Sequence, residues 1–87
     1  MFQIRYHDRV VAKDLPGMPS AMRSRIRAAI EQRLMVDPIS YGKPLRYSWR
    51  GHRRLRVGDW RIVYRVDVAE RVVFIVAIDH RKDIYED

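Results

Sequence analysis

The chain has no cysteine among its 87 residues, which excludes disulfides and thiolate metal ligands. It also lacks internal repeats and low-complexity segments, and no apolar run approaches the roughly 18 residues of a membrane-spanning helix. The amino-terminal sequence MFQIRYHDR has none of the apolar stretch of a signal peptide. We therefore expect a cytoplasmic protein that has no membrane partner.

Acidic residues are few relative to basic ones, with 11 Asp and Glu against 18 Lys and Arg, so that the formal net charge is +7. The whole excess falls between Lys43 and Arg65, where eight basic residues are accompanied by one acid, Asp59. A positive charge concentrated in one segment favours a polyanionic partner, either nucleic acid or an acidic protein. The alternative is a generic basic surface.

The pattern of apolar residues predicts one domain over residues 1–87, with elements in the order β-α-α-β-β-β. We expect the α+β class: a small antiparallel β-sheet with two N-terminal helices packed on one face. A further edge strand is a candidate at residues 45–49. The predicted strands cover residues 2–7, 53–57, 60–67 and 72–78, and the predicted helices cover residues 8–14 and 20–37.

A hairpin is predicted around Gly58-Asp59, a dipeptide suited to a two-residue type II′ turn. Pairing outward from that turn places Arg56 directly opposite Arg61, and paired residues share a face of the sheet. Like charges in opposition destabilise a sheet, so this pair indicates either a bound anion or a fully hydrated surface. The resulting basic face carries Arg54, Arg56, Arg61 and Arg65, with Val63 among them, and the other face is apolar.

The apolar run at residues 72–78 predicts a strand that is covered on both faces and returns beside residues 60–67. A short turn would place Ala77 within one or two residues of Arg61, so the next segment emerges at the Arg56 and Arg61 end of the hairpin. This brings together phosphate-binding arginines, an imidazole that titrates near neutral pH and a phenol. The converging set is Arg54, Arg56, Arg61, His80, Arg81 and Tyr85.

The sequence RRLRVGDWRIVY at residues 53–64, followed by DHRKDIY at residues 79–85, resembles the RelE/ParE superfamily of bacterial toxins. The resemblance implies the toxin of a type II toxin–antitoxin system, of the RelE-like branch, which an acidic antitoxin protein neutralises. In that branch the toxin is an endoribonuclease that cuts mRNA in the ribosomal A site and so inhibits translation. No cofactor is implied.

The resemblance also implies roles for four catalytic residues. Arg61 matches the phosphate-stabilising arginine of the family, Arg81 its second catalytic arginine and Tyr85 its terminal tyrosine. His80 occupies the position of a catalytic histidine in several ribosome-dependent members. Each has a plainer alternative: Arg61 as a solvent-facing strand residue, His80 as a surface histidine in a turn, and Tyr85 as an aromatic that closes the end of the sheet.

Four further basic residues are expected to bind RNA phosphates. Arg54 and Arg56 stand where some members of the family carry lysine. A guanidinium stays protonated, so neither is suited to act as a general base. Arg65 and Lys82 complete this expected phosphate-binding set.

Three functions remain open at this point. The first is RNA cleavage by attack of the 2′-OH on the adjacent phosphorus, which gives a 2′,3′-cyclic phosphate and needs a base, an acid and cations for the phosphorane. The chain has neither cysteine nor His-x-x-x-His spacing, so we expect no metal site and no two-metal route. The second is a ParE-like, non-enzymatic inhibitor of DNA gyrase, and the third is an RNA-binding module without chemistry.

Overall fold

The computed structural model describes residues 1–80 of the chain. A strand and two helical segments form the first half. Strand β1 (Gln3–Tyr6) leads to a π-helical turn at Val10–Asp14. Helix α1 (Ser20–Ala29) follows, and a π-helical turn at Ile30–Leu34 continues it. Both predicted helices are therefore present.

A short helix and the remaining strands make up the second half. Asp37 begins helix α2, since its Oδ1 accepts a hydrogen bond from the Ser40 amide at 3.2 Å. The edge strand predicted at residues 45–49 is wrong: residues 47–49 form a 3₁₀ turn, and a strand of 2 residues precedes them at residues 43–44. These elements are α2 (Pro38–Tyr41), β2 (Lys43–Pro44), the 3₁₀ turn (Tyr47–Trp49), β3 (Arg53–Val57), β4 (Trp60–Asp67) and β5 (Val72–Asp79).

The strands form one sheet in the order β1-β5-β4-β3-β2. Neighbours from β5 to β2 are antiparallel, as predicted. Strand β1 differs, because it lies parallel to β5 at the edge of the sheet. The chain crosses one face of the sheet through the helices before β2 begins, and that long crossover, rather than any local pattern, decides the direction of β1 relative to β5. The α+β class is confirmed.

The main core lies between the helices and one face of the sheet, as expected. The largest fully buried side chain in it is Tyr64, whose hydroxyl donates a hydrogen bond of 2.7 Å to the Pro38 carbonyl. No helix within residues 1–80 is long and apolar enough to cross a membrane. The core comprises Val10, Met18, Ile26, Ala29, Ile30 and Leu34 from the helical half, and Leu55, Val57, Ile62, Tyr64, Val73, Ile75 and Ile78 from the sheet.

A smaller apolar cluster covers the centre of the opposite face of the sheet. Leu45, Val63 and Ala77 are buried there, and Trp49 and Val76 pack against them. Strand β5 is thus covered on both faces around Ala77, which confirms the prediction from its apolar run. The segment that joins β2 to β3 therefore lies on the same face as the predicted basic residues.

Candidate functional site

The predicted hairpin register is confirmed at every pair. Gly58 has φ +60°, a backbone conformation that glycine adopts without steric cost, whereas Asp59 keeps a negative φ, as a type II′ turn requires. Arg56 lies directly opposite Arg61. The side chains of these two arginines therefore start from neighbouring points on the face of the sheet opposite the helices.

Arg61 is buried, with only 7% of its surface exposed. Its Nη1 atom is shielded from solvent and has no hydrogen-bond partner among the residues that the structure describes. A buried N–H of a charged group without an acceptor is costly, and an anion that accepts from it would remove the cost. Arg61 is therefore a candidate anion-binding group on this face.

Arg54 and Arg56 extend the positive charge along β3. Arg56 is exposed and Arg54 is half-buried. The register sets Arg54 between Lys43 of β2 and Val63 of β4. Residues two apart on a strand point to the same side at a spacing of roughly 7 Å, close to that of successive phosphates in an extended RNA strand. The structure thus brings Arg54, Arg56 and Arg61 together on the basic face.

Arg65 lies on the same face but at the far end of β4. Its guanidinium carbon sits 4.7 Å above the centre of the Phe74 ring, the geometry of a cation–π contact. It is four positions from Arg61, which corresponds to roughly 13 Å along a strand. Arg65 is therefore at the margin of the group formed by the other three arginines.

His80 lies on the helix side of the sheet. Its ring centre is 5.1 Å from that of Trp60, which packs against the main core. The residue before it, Asp79, is opposite Arg61 in the β4–β5 register. Successive residues in a strand point to opposite faces, so the backbone directs His80 away from Arg61.

A β-bulge causes this arrangement. Val63 pairs with Ala77 whereas Tyr64 pairs with Ile75, so Val76 is an extra residue in β5. Such a bulge transfers every later side chain of its strand to the opposite face. It sets Asp79 beside Arg61, so that Ala77 is two residues from the partner of Arg61, within the predicted range.

Arg81, Lys82 and Tyr85 lie outside the described residues. Strand β5 ends at Asp79, beside Arg61, so the chain leaves the sheet at the predicted end of the hairpin. Arg53, by contrast, is directed to the helix side, where its Nη2 donates to the carbonyls of Gly42, at 2.8 Å, and Ile39. Its role is to hold the segment around α2 against the sheet.

The loop from Leu45 to His52 forms one border of the basic face. The Leu45 amide donates to the His52 carbonyl at 2.9 Å, which closes the loop. The Trp49 and His52 rings meet edge to face with centres 5.3 Å apart. The sequence reasoning missed this border, although a tryptophan between arginines in a segment without acids was a usable signal.

The chain belongs to the ParE toxin family of type II toxin–antitoxin systems, whose sequence model matches residues 4–85. This confirms the resemblance to the RelE/ParE superfamily. The chain is 34% identical over 73 residues to the toxin RelG of Mycobacterium tuberculosis, and the alignment covers 84% of either chain. It is also 32% identical over 74 residues to the toxin RelE of the same organism, covering 85% of this chain and 76% of that toxin.

Solved structures show the same fold. A RelBE toxin–antitoxin complex from Mycobacterium tuberculosis superposes with a TM-score of 0.85 at 29% identity, covering 92% of this chain and 98% of that one. The archaeal RelE–RelB complex of Pyrococcus horikoshii gives a TM-score of 0.68 at 26% identity, covering 94% and 97%. The intact RelBE complex of E. coli, at 16% identity and a TM-score of 0.76, covers 94% of this chain and 99% of that one.

Proposed function

We propose that this toxin is a ribosome-dependent, metal-independent endoribonuclease that cleaves mRNA in the cytoplasm and thereby inhibits translation. The observation that carries the proposal is the buried Nη1 of Arg61, which has no hydrogen-bond partner within residues 1–80, on a face that Arg54 and Arg56 also make positive. A guanidinium held in place by the sheet offers parallel N–H donors to the oxygens of a phosphate. The nearby arginines supply the long-range attraction for RNA.

The proposed chemistry is attack of the ribose 2′-OH on the adjacent phosphorus. The bond from phosphorus to the 5′ oxygen breaks, which leaves a 2′,3′-cyclic phosphate and a 5′-hydroxyl. Arg61 stabilises the charge that develops on the non-bridging oxygens, as an oxyanion hole does in acyl transfer. Arg81 supports the leaving-group side. His80 and Tyr85 exchange the two protons, one as base and the other as acid.

His80 has to leave Trp60 to take part. The ring-to-ring contact of 5.1 Å keeps it on the helix side, but its Cα directly follows Asp79, the residue opposite Arg61. His80 is exposed, and the proposal requires its side chain to rotate around the end of β5. We infer that bound RNA draws the imidazole to the basic-face side.

In this proposal the ribosome imposes the in-line geometry of the RNA that the basic face does not impose. In-line attack requires the 2′ oxygen, the phosphorus and the 5′ oxygen to be nearly collinear, and positioning provides a large share of the rate enhancement of such reactions. Within residues 1–80 the basic face is a sheet surface that carries exposed arginines. Among residues 1–80, no group of three His, Asp or Glu side chains could hold a metal ion. We therefore propose that mRNA is cut only when the A site holds it in a bent conformation.

The proposed regulator is a cognate acidic antitoxin. Two related solved structures, at 29% and 26% identity, are toxin–antitoxin complexes. The excess charge of +7 in this chain favours binding to any RNA, and an acidic partner on the basic face would neutralise it. We expect binding of the antitoxin to weaken as salt is raised and to protect Arg56 from chemical modification.

The alternative is a gyrase-inhibiting toxin, which the match to the ParE family model favours. A gyrase inhibitor would use the same basic surface for binding and would need neither His80 for proton transfer nor Arg61 for stabilisation of a phosphorane. The unpartnered Nη1 favours the nuclease, because it offers a donor to a bound phosphate.

The experiment is end-group analysis of mRNA incubated with purified toxin, with and without programmed ribosomes, in EDTA and in magnesium-supplemented buffers. Free RNA is used in the EDTA arm, since ribosomes need magnesium. We expect cutting only on ribosomes, with a cyclic phosphate and a 5′-hydroxyl as the new ends. A 5′-phosphate, or brisk metal-dependent cutting of free RNA, contradicts the mechanism. No cutting, together with inhibition of gyrase on supercoiled DNA, establishes the alternative.

A further inference from the structure

Tyr47 adopts a backbone conformation that its side chain disfavours. Its φ is +58°, in the left-handed region, where the Cβ of a non-glycine residue crowds the following carbonyl. Glycine or asparagine would occupy the same position at little cost. A bulky aromatic residue held in this region stores strain, and strain of this kind persists where the surrounding structure enforces it.

The loop around Tyr47 is ordered by its own hydrogen bonds. The Trp49 amide donates to the Arg46 carbonyl and the Arg50 amide donates to the Tyr47 carbonyl, each at 3.1 Å. The Leu45 amide closes the base of the loop at 2.9 Å from the His52 carbonyl. Tyr47 is therefore presented on a rigid support, which lowers the entropy lost when a ligand binds.

The loop packs on the sheet close to Arg61. Leu45 is buried against Val63 and Ala77 on the basic face, and Trp49 packs on the same cluster. Val63 is two residues from Arg61 on β4, and the alternation along the strand puts both on this face. Tyr47 thus projects from the border of the surface that holds the proposed phosphate site.

The Tyr47 side chain remains 81% exposed in spite of its strained backbone. It is flanked by the exposed Arg46 and Arg50, and residues 43–58 contain no acid. An exposed aromatic ring between arginines suits single-stranded nucleic acid, because a base stacks on the ring while the guanidinium groups meet the phosphates. Tyrosine and arginine are also common in protein interfaces, so binding of the antitoxin at this loop is the outcome against which the proposal is tested.

We propose that Tyr47 is a base-stacking residue of the RNA site, which holds a nucleotide of the A-site codon next to the phosphate bound by Arg61. The proposal rests on the proposed function for its substrate class, single-stranded mRNA. It assigns part of the sequence preference of cleavage to a residue outside the set that carries the chemistry.

The test uses programmed ribosomes that carry an mRNA with 2-aminopurine in the A-site codon, whose fluorescence falls when the base stacks on an aromatic ring. Three mRNAs place the probe at each codon position, and 2′-O-methyl groups on the codon block cleavage. We expect wild type and Tyr47→Phe to quench the probe at one position. Tyr47→Ala should lose that quenching, and its Kd for the programmed ribosome should rise about 5- to 150-fold. Tyr41→Ala, which removes another exposed tyrosine from α2, should behave as wild type.

A second variant separates stacking from a purely structural role. Tyr47→Gly removes the steric strain, so its melting temperature should be at least that of wild type while its quenching is lost. Wild-type quenching by Tyr47→Gly or Tyr47→Ala overturns the proposal. So does a Tyr47→Ala protein that binds the ribosome normally and loses only its affinity for the antitoxin.

Cleavage of the same mRNAs without the 2′-O-methyl groups distinguishes failure of this inference from failure of the proposed function. If the wild-type toxin quenches the probe but cuts nothing, the nuclease function is wrong and the stacking role stands. If the wild-type toxin and Tyr47→Ala cut the same codons at the same rate, the nuclease function stands and the stacking role is wrong. Absence of quenching by the wild-type toxin at all three positions also overturns the stacking role.

Discussion

Arg56 and Arg61 lie directly opposite each other in the β3–β4 hairpin, yet their surroundings differ sharply. Arg56 is exposed at the edge of the sheet, whereas Arg61 is 7% exposed and its Nη1 has no partner in the described part of the chain. Water hydrates the first charge, so it acts mainly through long-range attraction. The second is desolvated, so its contact with an anion is much stronger. We therefore expect Arg56 to act mainly in the attraction of RNA and Arg61 in the cleavage step.

Replacing Arg61 should stabilise the protein and inactivate it. Arg61→Met removes a buried N–H without an acceptor, so the free energy of unfolding should rise by about 1 to 3 kcal/mol. Loss of the phosphate contact should slow cleavage about 30- to 1,000-fold, which corresponds to roughly 2 to 4 kcal/mol. Urea unfolding and single-turnover cleavage on ribosomes measure the two effects.

The control for Arg61 is Arg27→Met on α1, where the side chain is exposed and its Nε lies 3.9 Å from a Glu31 oxygen. A surface pair of this kind contributes little, so neither quantity should change appreciably. Growth arrest by a well-expressed Arg61→Ala or Arg61→Met protein would show that the phosphate site lies elsewhere.

Replacing Arg56 should change the salt dependence of binding more than the chemistry. Arg56→Gln removes one exposed phosphate contact, so the slope of log K against log salt should become shallower by about 0.7. The rate of cleavage at saturation should change little, and the loss of affinity should be the same for every codon. Ribosome binding measured between 50 and 300 mM salt tests this expectation, with Arg27→Gln as control. An unchanged slope would place Arg56 outside the RNA contact.

His80→Gln should lower the rate of cleavage and leave binding intact. A proton-transfer residue typically contributes 10²- to 10⁴-fold, so we expect a loss within roughly that range in single-turnover cleavage. His7→Gln is the control, because His7 is exposed near β1 and its Nδ1 accepts from the Arg9 amide at 3.1 Å. If His80→Gln cuts at the wild-type rate but unfolds more easily, His80 serves only to pack on Trp60.

Gly42→Ala should be strongly destabilising. A Cβ at this position would lie 1.8 Å from the Tyr64 hydroxyl and 2.9 Å from the Arg54 carbonyl, and the buried backbone has no room to yield. We expect a loss of about 3 kcal/mol or more in the free energy of unfolding by urea. Gly17→Ala is the milder comparison, since its Cβ would lie 3.1 Å from the Lys13 carbonyl and 3.9 Å from the Asp14 carbonyl. Equal stability of the two variants would contradict the packing around Tyr64.

Tyr64 should make the fold sensitive to alkali. Burial raises the pKa of its phenol above the usual value near 10. The unfolded chain therefore loses the proton first as pH rises. The contribution of Tyr64 is complete below pH ~10 and is lost as pH rises through the higher folded value.

Tyr64→Phe should cost about 1 kcal/mol at neutral pH, through loss of the 2.7 Å hydrogen bond to the Pro38 carbonyl. Above pH ~10 it should lose stability less steeply than the wild type, with Tyr41→Phe as control. Urea unfolding at pH 7, 9 and 11 provides the comparison. Parallel pH profiles of the wild type and Tyr64→Phe would contradict the raised pKa.

Local patterns in the sequence were sufficient to predict the hairpin. The Gly58-Asp59 turn and the alternation of Leu55, Ile62 and Tyr64 with arginines set the register and the basic face, and the structure has both. Turn chemistry and a period of two residues act over a few positions, so they can be recognised without the rest of the fold. The same reasoning recognised the family from the residues of this hairpin and those that follow β5.

The burial of Arg61 could not be predicted in that way. Leu45 and Trp49 come from the loop before β3 and pack on Val63, two residues along β4 from Arg61. The alternation of the hairpin gives no sign of a loop folded over it. The role of Arg53, which donates to the Gly42 carbonyl from the helix side, also depends on the position of a distant segment.

The sequence by itself thus determined the class of fold, the hairpin register and the concentration of positive charge on one face. The tertiary structure alone decided which way β1 runs, how deeply Arg61 is buried and on which side His80 lies. The side on which His80 lies follows from the bulge at Val76. Every residue from Val72 to Ile78 is apolar, so no alternation marks its register. Only packing of Ile75 and Ile78 into the main core selects the position of the extra residue.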